Sequence, residues 1–270
     1  MTKIFREYVI PLPFSSQKYR IAQLYTVALV SQQEATGDTA IKIVQNDDIN
    51  HEIYGNCRLT NKIFYLNSKV PSVIRAVVPK KALIVEENAY NAFPICHTFY
   101  KNQAFSEDTF YGSVISDHKD ITDWNVLELP QDYIKNNKNK TRKNHFKGIK
   151  DDEFLKSNIK IIDICDNVQN EKYNPNEMVI NGIKMEKGWF HSQKSDFMVC
   201  EKFVTLKFEC FGLGWLVYEL EKQIDKVFIA AHQQMVCLYE QWKDKTMDDI
   251  RLMEEDATKK LNMKEGKEMK

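Results

Sequence analysis

An α+β fold is predicted for this chain of 270 residues, and three observations support it. Short segments rich in β-branched and aromatic residues cluster between positions 58 and 116, after one early helical segment. From position 213 to 242, apolar side chains recur every three or four residues, which predicts a helix of about 30 residues and ~45 Å. No repeat or composition break divides residues 1–270. We therefore expect one domain, in which a curved antiparallel sheet packs against the long helix.

The first third of the chain predicts one strand, one helix and a polar connection. Alternation over residues 4–10 predicts a strand, and Ser15 or Ser16 is placed to cap the helix that follows. Residues 31–56 are polar and are expected to form a loop with one short strand near 41–44. The remaining strands are predicted over 58–67, 82–86, 91–100, 109–116, 159–165 and 197–208.

Three connecting or terminal segments carry further expectations. Prolines bracket residues 71–79, which predicts one or two helical turns on a mobile connection. Thr246 and Asp249 resemble a capping box, so a C-terminal helix is predicted over 246–262. Residues 135–150 carry seven basic side chains and no acidic one. A basic insert over 135–158 is therefore expected, either as a solvated loop or as a patch that meets anionic lipid headgroups.

Charge and cysteine content exclude several classes of protein. The 38 basic side chains balance 38 acidic ones, whereas nucleic-acid-binding proteins usually carry a basic excess. No apolar run reaches the ~20 residues of a membrane span, and no secretion signal is recognised at the N-terminus. The six cysteines are scattered without a CxxC pair, which favours reduced thiols and argues against a zinc site. These features are typical of a cytoplasmic protein.

Motifs of the common enzymes are missing. The sequence contains no nucleophile elbow, P-loop, dinucleotide-binding glycine motif or HExxH motif. Cys96 stands next to His97, but neighbouring residues of a strand point to opposite faces, so this pair is a weak candidate for thiol catalysis.

Two lysines interrupt apolar strand faces. In the predicted strand 197–208, Lys202 is the only charge among alternate residues that are otherwise apolar or cysteine. In the strand 58–67, Thr60 and Lys62 precede an apolar stretch of the same face. Each lysine either extends its ammonium to water at an edge or faces a cavity that holds an anionic ligand. Two faces of this kind would suit an amphiphile with a phosphate head and a hydrocarbon tail.

Several long segments resemble the single-domain phosphatidylinositol transfer proteins. They lie in family order along nearly the whole chain and read EYVIPLP (7–13), YRIAQLYTVA (19–28), LTNKIFYLNSKVPSVIR (59–75), ENAYNAFPICHT (87–98), EKFVTLKFECFGL (201–213) and WKDKTMDDIRLMEEDATKKL (242–261). The resemblance implies a helix-grip fold of the START-like type, in which a sheet and long helices enclose one phospholipid.

The resemblance also implies which residues bind the lipid headgroup. The inositol contacts of the family match Thr60, Lys62, Asn91 and Glu254, whose donors and acceptors suit a polyol ring. The phosphate contacts match Gln23, Thr98, Lys202 and Ser116, which replaces a threonine, while Cys96 matches a cysteine in the wall of the headgroup pocket.

One departure concerns membrane docking. The tryptophan pair that the family places before a Gly-Leu is Cys210-Phe211 here. We expect Phe211 and the nearby Trp215 to enter the membrane interface instead.

The expected activity is the extraction, shielding and exchange of phosphatidylinositol, and of phosphatidylcholine, between membranes. No cofactor is expected, and one bound phospholipid is the cargo of a monomer that touches membranes transiently. The 71–79 segment and the helix from Thr246 are expected to open at a membrane and close in water. The alternative is a lipid sensor that presents phosphatidylinositol to a lipid kinase without bulk transfer. A thiol-dependent lipid hydrolase is the third hypothesis.

Overall fold

The computed structural model describes residues 3–34, 39–67, 70, 72–129, 143–193 and 196–268. Its helices are α1 (Ser16–Glu34), α2 (Ser72–Arg75), α3 (Asp151–Lys156), α4 (Trp189–Ser192), α5 (Leu216–Cys237), α6 (Tyr239–Trp242) and α7 (Met247–Glu268). Its strands are β1 (Lys3–Leu12), β2 (Thr39–His51), β3 (Gly55–Leu66), β4 (Ile84–Ala92), β5 (Ile95–Asn102), β6 (Phe110–Ile121), β7 (Asn158–Ile161), β8 (Val179–Ile180), β9 (Ile183–Lys184) and β10 (Phe197–Phe208). Short 3-10 turns connect several of them.

One curved sheet organises the fold. Its eight strands follow the order β2-β3-β4-β5-β6-β10-β1-β7, and β8 and β9 form a separate small hairpin. Every neighbouring pair of the large sheet is antiparallel except β1 and β7. The predicted α+β fold with an antiparallel-rich sheet and long C-terminal helices is confirmed.

Helices α1, α5 and α7 lie on the same face of this sheet, which we call the helical face. Tyr8 of β1 donates a hydrogen bond to Asp225 of α5 at 2.6 Å, and its ring meets Phe228 edge-on at 5.1 Å. At the β2 edge, Leu261 of α7 packs against Ile43. α5 therefore covers the β1 side of the sheet, and α7 covers its β2 edge.

The first edge strand, β2, was predicted only in part because its sequence is polar. β2 extends over 13 residues, where a loop with one short strand was expected. Because β2 is the edge of the sheet, one side of its backbone has no neighbouring strand, and polar side chains are normal at such an edge. The predicted strand over 91–100 is likewise two strands, since a turn at Phe93-Pro94 separates β4 from β5.

The long C-terminal helix was predicted as one element but has a break near Leu238. Trp242, which is fully buried, donates its indole N–H to the Met235 carbonyl at 2.7 Å and packs edge-on against Phe14. This anchoring sets α6 apart from α5.

The capping box is present at the next helix. The Asp249 backbone N–H donates to the Thr246 hydroxyl at 3.2 Å, and the Thr246 N–H donates to the Asp249 carboxylate at 2.8 Å. α7 extends to Glu268, six residues beyond the expected end at position 262. No helix in the described ranges is both long and apolar enough to cross a membrane.

The opposite face of the sheet is covered by the second part of the basic insert. Residues 130–142 lie outside the described residues, so the expectation for 135–142 has no structural counterpart. Of the rest, residues 143–150 form turns, and α3 and the start of β7 follow them. Phe146 and Phe154 are buried against Phe203 of β10, with ring centroids 5.4 and 6.2 Å from it. The basic composition concealed these two aromatic anchors.

Candidate functional site

The sheet register aligns five side chains in one row across five strands of the helical face. Residues that are paired across antiparallel strands share a face and lie ~4.5–5.5 Å apart, so such a row is spatially continuous. The row runs from β3 through β4, β5 and β6 to β10 and consists of Arg58, Asn91, Cys96, Ser116 and Lys202. Four of these are candidate headgroup residues, although more than a hundred positions separate the first of those four from the last.

Lys202 lies at the interior end of this row. It is 6% exposed, and its ammonium donates to the Ser116 hydroxyl at 3.0 Å. The Phe228 ring of α5 lies over it at 5.3 Å. Within the described part of the chain, no carboxylate comes within 4.0 Å of the ammonium. The structure therefore rejects the edge interpretation of Lys202 and leaves a buried cation with one neutral hydrogen-bond partner.

The other two candidate phosphate contacts lie on strand β5 and on helix α1. Thr98 is two residues from Cys96 on the same face, with 3.9 Å between its hydroxyl and the Cys96 thiol. Gln23 is half-buried on α1, one turn beyond Tyr19, whose hydroxyl lies 3.6 Å from the Cys200 thiol of β10. Gln23 is thus placed through its helix, whereas Thr98 belongs to the sheet.

Thr60 and Glu254 are brought together by residues that the sequence analysis did not select. The Thr60 hydroxyl donates to the Asn46 side-chain oxygen at 3.1 Å, and the Arg58 guanidinium donates to the same oxygen at 2.9 Å. Arg58 also lies 3.7 Å from the Glu254 carboxylate, which accepts from Arg251 at 2.6 Å. Glu254 therefore couples α7 to β3.

Lys62 occupies a different setting, although it shares the face and strand of Thr60. Its ammonium lies 3.5 Å from the Glu87 carboxylate of β4, and both side chains are largely buried. Tyr100 of β5 donates its hydroxyl to Glu87; burial, followed by the Glu87 charge, raises the pKa of that phenol well above its ordinary value. The phenol stays neutral at physiological pH, and Lys62 is a neutralised cation with N–H groups available to a hydroxyl-bearing ligand.

A cavity of about 460 Å³ opens next to Asn91. Its volume lies within the ~300–1,000 Å³ of small-ligand pockets. Asn91 faces it together with Phe93, and three guanidiniums line it, those of Arg20 on α1, Arg58 on β3 and Arg251 on α7. The structure thus places Asn91, one of the four candidate inositol contacts, in the wall of an unexpectedly basic cavity.

His118 is a further polar group of the helical face that the sequence analysis missed. It follows Ser116 by two residues, is buried, and donates from Nδ1 to the Pro94 carbonyl at 2.5 Å. Burial, assisted by the nearby Lys202 charge, lowers the pKa of His118 to about 4. The ring is therefore neutral at pH 7, and its buried Nε2 is an acceptor without a partner among the described residues.

Cys96, the cysteine of the row, does not form a nucleophilic centre with its neighbour His97. Burial raises the pKa of the Cys96 thiol, an effect that the Lys202 charge only partly opposes. His97 points to the other face, where its Nδ1 meets the Tyr54 hydroxyl at 2.7 Å and its Nε2 meets the Ser113 hydroxyl at 2.9 Å. His97 therefore does not serve Cys96 as a base, and the place of Cys96 in the wall of a headgroup pocket remains a prediction from the resemblance.

One cluster of metal-ligating side chains occurs in the described ranges, on the opposite face. Asp117, His145 and Glu201 place ligand atoms within 4.8 Å of one another. The Lys119 ammonium already lies among them, 2.6 Å from Glu201 and 3.0 Å from Asp117. The cluster is an ion-pair network that holds His145 and its segment against the sheet.

The predicted docking residues lie on the turn between β10 and α5. Phe211 is fully exposed and Trp215 is half-exposed. Gly212 between them has a φ of +73°, a conformation that favours glycine and holds the turn tight. This turn presents two aromatic rings to the surroundings of the protein.

Alternation along strands could have identified two of the missed residues. Arg58 precedes Thr60 by two positions, and His118 follows Ser116 by two, so each shares a face with a selected residue. Arg251 is one turn before Glu254 on α7. Arg20 carries no such signal, because only the packing of α1 brings it to the cavity.

Comparison with known proteins gives a consistent result. A family model described as Phosphatidylinositol transfer protein matches residues 3–259. The human phosphatidylinositol transfer protein beta isoform is 30% identical over 272 residues, which cover 96% of this chain and 93% of the human protein. Phosphatidylinositol transfer protein 1 of Dictyostelium discoideum is 30% identical, with 97% of both chains covered. Cytoplasmic phosphatidylinositol transfer protein 1 of Xenopus tropicalis is 29% identical over 97% of this chain and 76% of its own.

Proposed function

Because this chain belongs to the phosphatidylinositol transfer protein family, we propose that it extracts phosphatidylinositol from one membrane, shields it and delivers it to another. Phosphatidylcholine is the second proposed cargo, since both lipids carry the same phosphodiester and two acyl chains. One phospholipid is bound per chain, the chain acts as a monomer without a cofactor, and its membrane contact is transient.

The observation that supports this function best is the buried ammonium of Lys202. A buried charge without an opposite charge is expensive, and a phosphodiester would provide that charge. The Ser116 hydroxyl at 3.0 Å would supply a second donor to the same group. In this proposal Thr98 and Gln23 complete the phosphate contacts, and Cys96 forms the wall beside them.

Selectivity for inositol is proposed to come from the β3–β4 side of the face. The Thr60 hydroxyl, the Lys62 ammonium, the Asn91 amide and the Glu254 carboxylate offer both donors and acceptors to a polyol. Glu254 is the only one of the four on a C-terminal helix. Binding of the ring would therefore favour the closed position of α7.

The acyl chains supply the binding energy. A two-chain phospholipid in water exposes roughly 30 methylenes at ~0.8 kcal/mol each, about 25 kcal/mol in all. Headgroup hydrogen bonds at ~1 kcal/mol each cannot offset this, so the chains must pass directly from bilayer to protein. We propose that Phe211 and Trp215 contact the bilayer while the 71–79 segment and α7 open.

A transfer assay with purified protein tests the proposal. Labelled phosphatidylinositol in donor vesicles should appear in acceptor vesicles at a rate proportional to protein concentration, with no other protein present. Binding of the lipid without transfer would contradict the carrier function and support the sensor that presents the lipid to a kinase. Release of hydrolysed lipid would support the hydrolase instead.

The site of action follows from the same proposal. We place the protein in the cytoplasm, in line with the name of the Xenopus relative, where it would visit membranes transiently. A formal net charge of zero suits a carrier that must leave each membrane, because bulk charge would hold it on anionic lipid.

A further inference from the structure

We propose that the arginine-lined cavity next to Asn91 binds a phosphate monoester on the inositol ring, so that the chain accepts phosphorylated phosphatidylinositol as a preferred ligand. This inference rests on the proposed function, because it extends the same headgroup site. The cavity measures about 460 Å³ and is distinct from the Lys202 end of the face.

Three guanidiniums from three separate elements converge on this cavity. Arg20 comes from α1, Arg58 from β3 and Arg251 from α7. A guanidinium offers a planar fork of N–H donors that fits phosphate oxygens in a bidentate manner. Three guanidinium groups that come together from elements distant in sequence are typical of a site for a multiply charged anion.

The carboxylates nearby do not neutralise all three cations. Arg58 and Arg251 share the Glu254 carboxylate, at 3.7 and 2.6 Å. The second acidic partner of Arg58 is Asp48 at 3.2 Å, whose side chain is 75% exposed and therefore well screened. Arg20 packs over the Phe93 ring at 5.5 Å and forms no ion pair with a described carboxylate. The cavity therefore keeps an excess of positive charge.

The position of the cavity indicates which part of the ligand reaches it. In the row across the sheet, Asn91 and Lys202 are three strand spacings apart, roughly 14 Å. If Lys202 holds the phosphodiester, the ring lies toward Asn91, and its carbons opposite the diester point toward Arg58 and β2. A phosphate on one of those carbons would meet the guanidiniums, whereas an unsubstituted ring would leave them with Asp48 and Glu254 only.

Binding measurements on the full chain with short-chain lipids test this inference. The probes are phosphatidylinositol 4-phosphate, phosphatidylinositol, soluble inositol 4-phosphate and inorganic phosphate. We expect the phosphorylated lipid to bind at least about 10-fold more tightly than phosphatidylinositol, because a charge-assisted bidentate contact contributes a factor of that order. Arg20→Gln should reduce that ratio to near one. Arg20→Lys keeps the charge but loses the paired N–H donors of the guanidinium, so it should restore the affinity ratio only in part.

The matched control is Lys184→Gln, which removes one positive charge from the exposed hairpin strand β9. It should leave the ratio at the wild-type value. Equal affinity of the wild-type chain for the two lipids would overturn the inference while the proposed transfer of phosphatidylinositol stands. Failure to bind either lipid would instead overturn the proposed function. Inorganic phosphate that competes as well as the phosphorylated lipid would show that the cavity takes free phosphate, which contradicts a lipid-borne ligand.

Discussion

At Lys202 a buried ammonium lies beneath α5 and donates a hydrogen bond to the Ser116 hydroxyl, its one hydrogen-bond acceptor among the described residues. Its neighbour in the row, Ser116, keeps the hydroxyl that the resemblance assigns to a phosphate contact. Lys62 shows the contrast, because Glu87 at 3.5 Å neutralises it. The two lysines therefore have different roles in the proposed site, one toward the phosphodiester and one toward the ring.

Headgroup selectivity is testable at Thr60. Its hydroxyl bonds Asn46 in a crowded part of the helical face, so Thr60→Glu introduces a carboxylate where the ring would lie. We expect phosphatidylinositol transfer to fall by at least about 10-fold, because the larger carboxylate side chain would occupy the space of the ring, with phosphatidylcholine transfer retained. The measurement is the parallel transfer of both labelled lipids between vesicles.

Asn61→Glu is the matched control for this change. Asn61 is the next residue of β3, it points to the opposite face, and it bonds Asn88 there. Its replacement should affect the two lipids equally. Loss of both activities in Thr60→Glu would show that the headgroup assignment is wrong.

His118 gives the protein a defined acid sensitivity. Its pKa falls from an ordinary value of 6.5 to about 4 in the folded state, because burial and Lys202 disfavour the charged ring. Between these values the unfolded chain binds a proton that the folded chain does not, so stability falls as pH falls. From about pH 7.5 to about pH 5 we expect a loss of roughly 2 kcal/mol from this residue. Urea unfolding at the two pH values measures it.

His118→Asn keeps a donor toward the Pro94 carbonyl and removes the titrating ring. The variant should lose correspondingly less stability between the same pH values. The acid sensitivity that remains would include His97, whose pKa burial also lowers to about 4. An identical pH slope in the two proteins would contradict the assignment of a neutral, buried His118.

At the scale of the elements, the turn between β10 and α5 is the proposed contact with the bilayer. Its exposed rings, Phe211 and Trp215, are aromatic groups of the kind that settle at membrane interfaces. The double variant Phe211→Ala/Trp215→Ala should slow vesicle transfer by roughly 10-fold, because it removes most of the inserted apolar surface. Equilibrium lipid binding should stay unchanged, since neither residue belongs to the headgroup row.

Val179→Ala is the control for this turn. Val179 is an exposed apolar residue on the small hairpin, outside the large sheet. Its loss should not alter the transfer rate. If the double variant transferred lipid as fast as the wild-type chain, the docking surface would lie elsewhere.

The elements differ in how far sequence could predict them. β10 is predicted with the bounds that the structure shows, because its apolar alternation is strong and both faces are covered. Only a short part of β2, near residues 41–44, was predicted, because an edge strand tolerates polar residues and periodicity carries little information there. In the basic insert, charge dominated the local pattern, although Phe146 and Phe154 determine how residues 143–158 pack.

At the scale of the whole molecule, the site depends on the order and register of the strands. Alternation along single strands showed that Lys62 and Lys202 interrupt apolar faces but left open whether they face water or a cavity, and the resemblance supplied the roles proposed for them and for Thr60. Neither could place Asn91, Cys96, Ser116 and Lys202 in one row, because sequence-local patterns do not determine which strands pair. The cavity with Arg20 and Arg251 depends on helix packing as well. Periodicity carries no signal for Arg20, whereas Arg251 could be found only through its helical spacing from Glu254.

The same arrangement would link the bound lipid to the position of helix α7. α7 contributes Glu254 and Arg251 to the headgroup side and packs Leu261 against Ile43 of β2. Movement of α7 away from the sheet would therefore open this side of the sheet and remove a proposed ligand contact in one step. In the proposed function, this coupling would let the chain hold lipid in water and release it at a membrane.

The central claim is that one intact phospholipid is held by a buried phosphate contact at Lys202. Native mass spectrometry of the purified full chain, with extraction of the bound lipid, tests it most directly. We expect one phosphatidylinositol or phosphatidylcholine per chain, and at least about 10-fold lower occupancy in Lys202→Met, whose fold the apolar surroundings would tolerate. The matched Lys207→Met, on the same strand but the opposite face, should carry lipid like the wild-type chain. A folded Lys202→Met protein with full lipid occupancy, or a wild-type chain without phospholipid, would contradict the account.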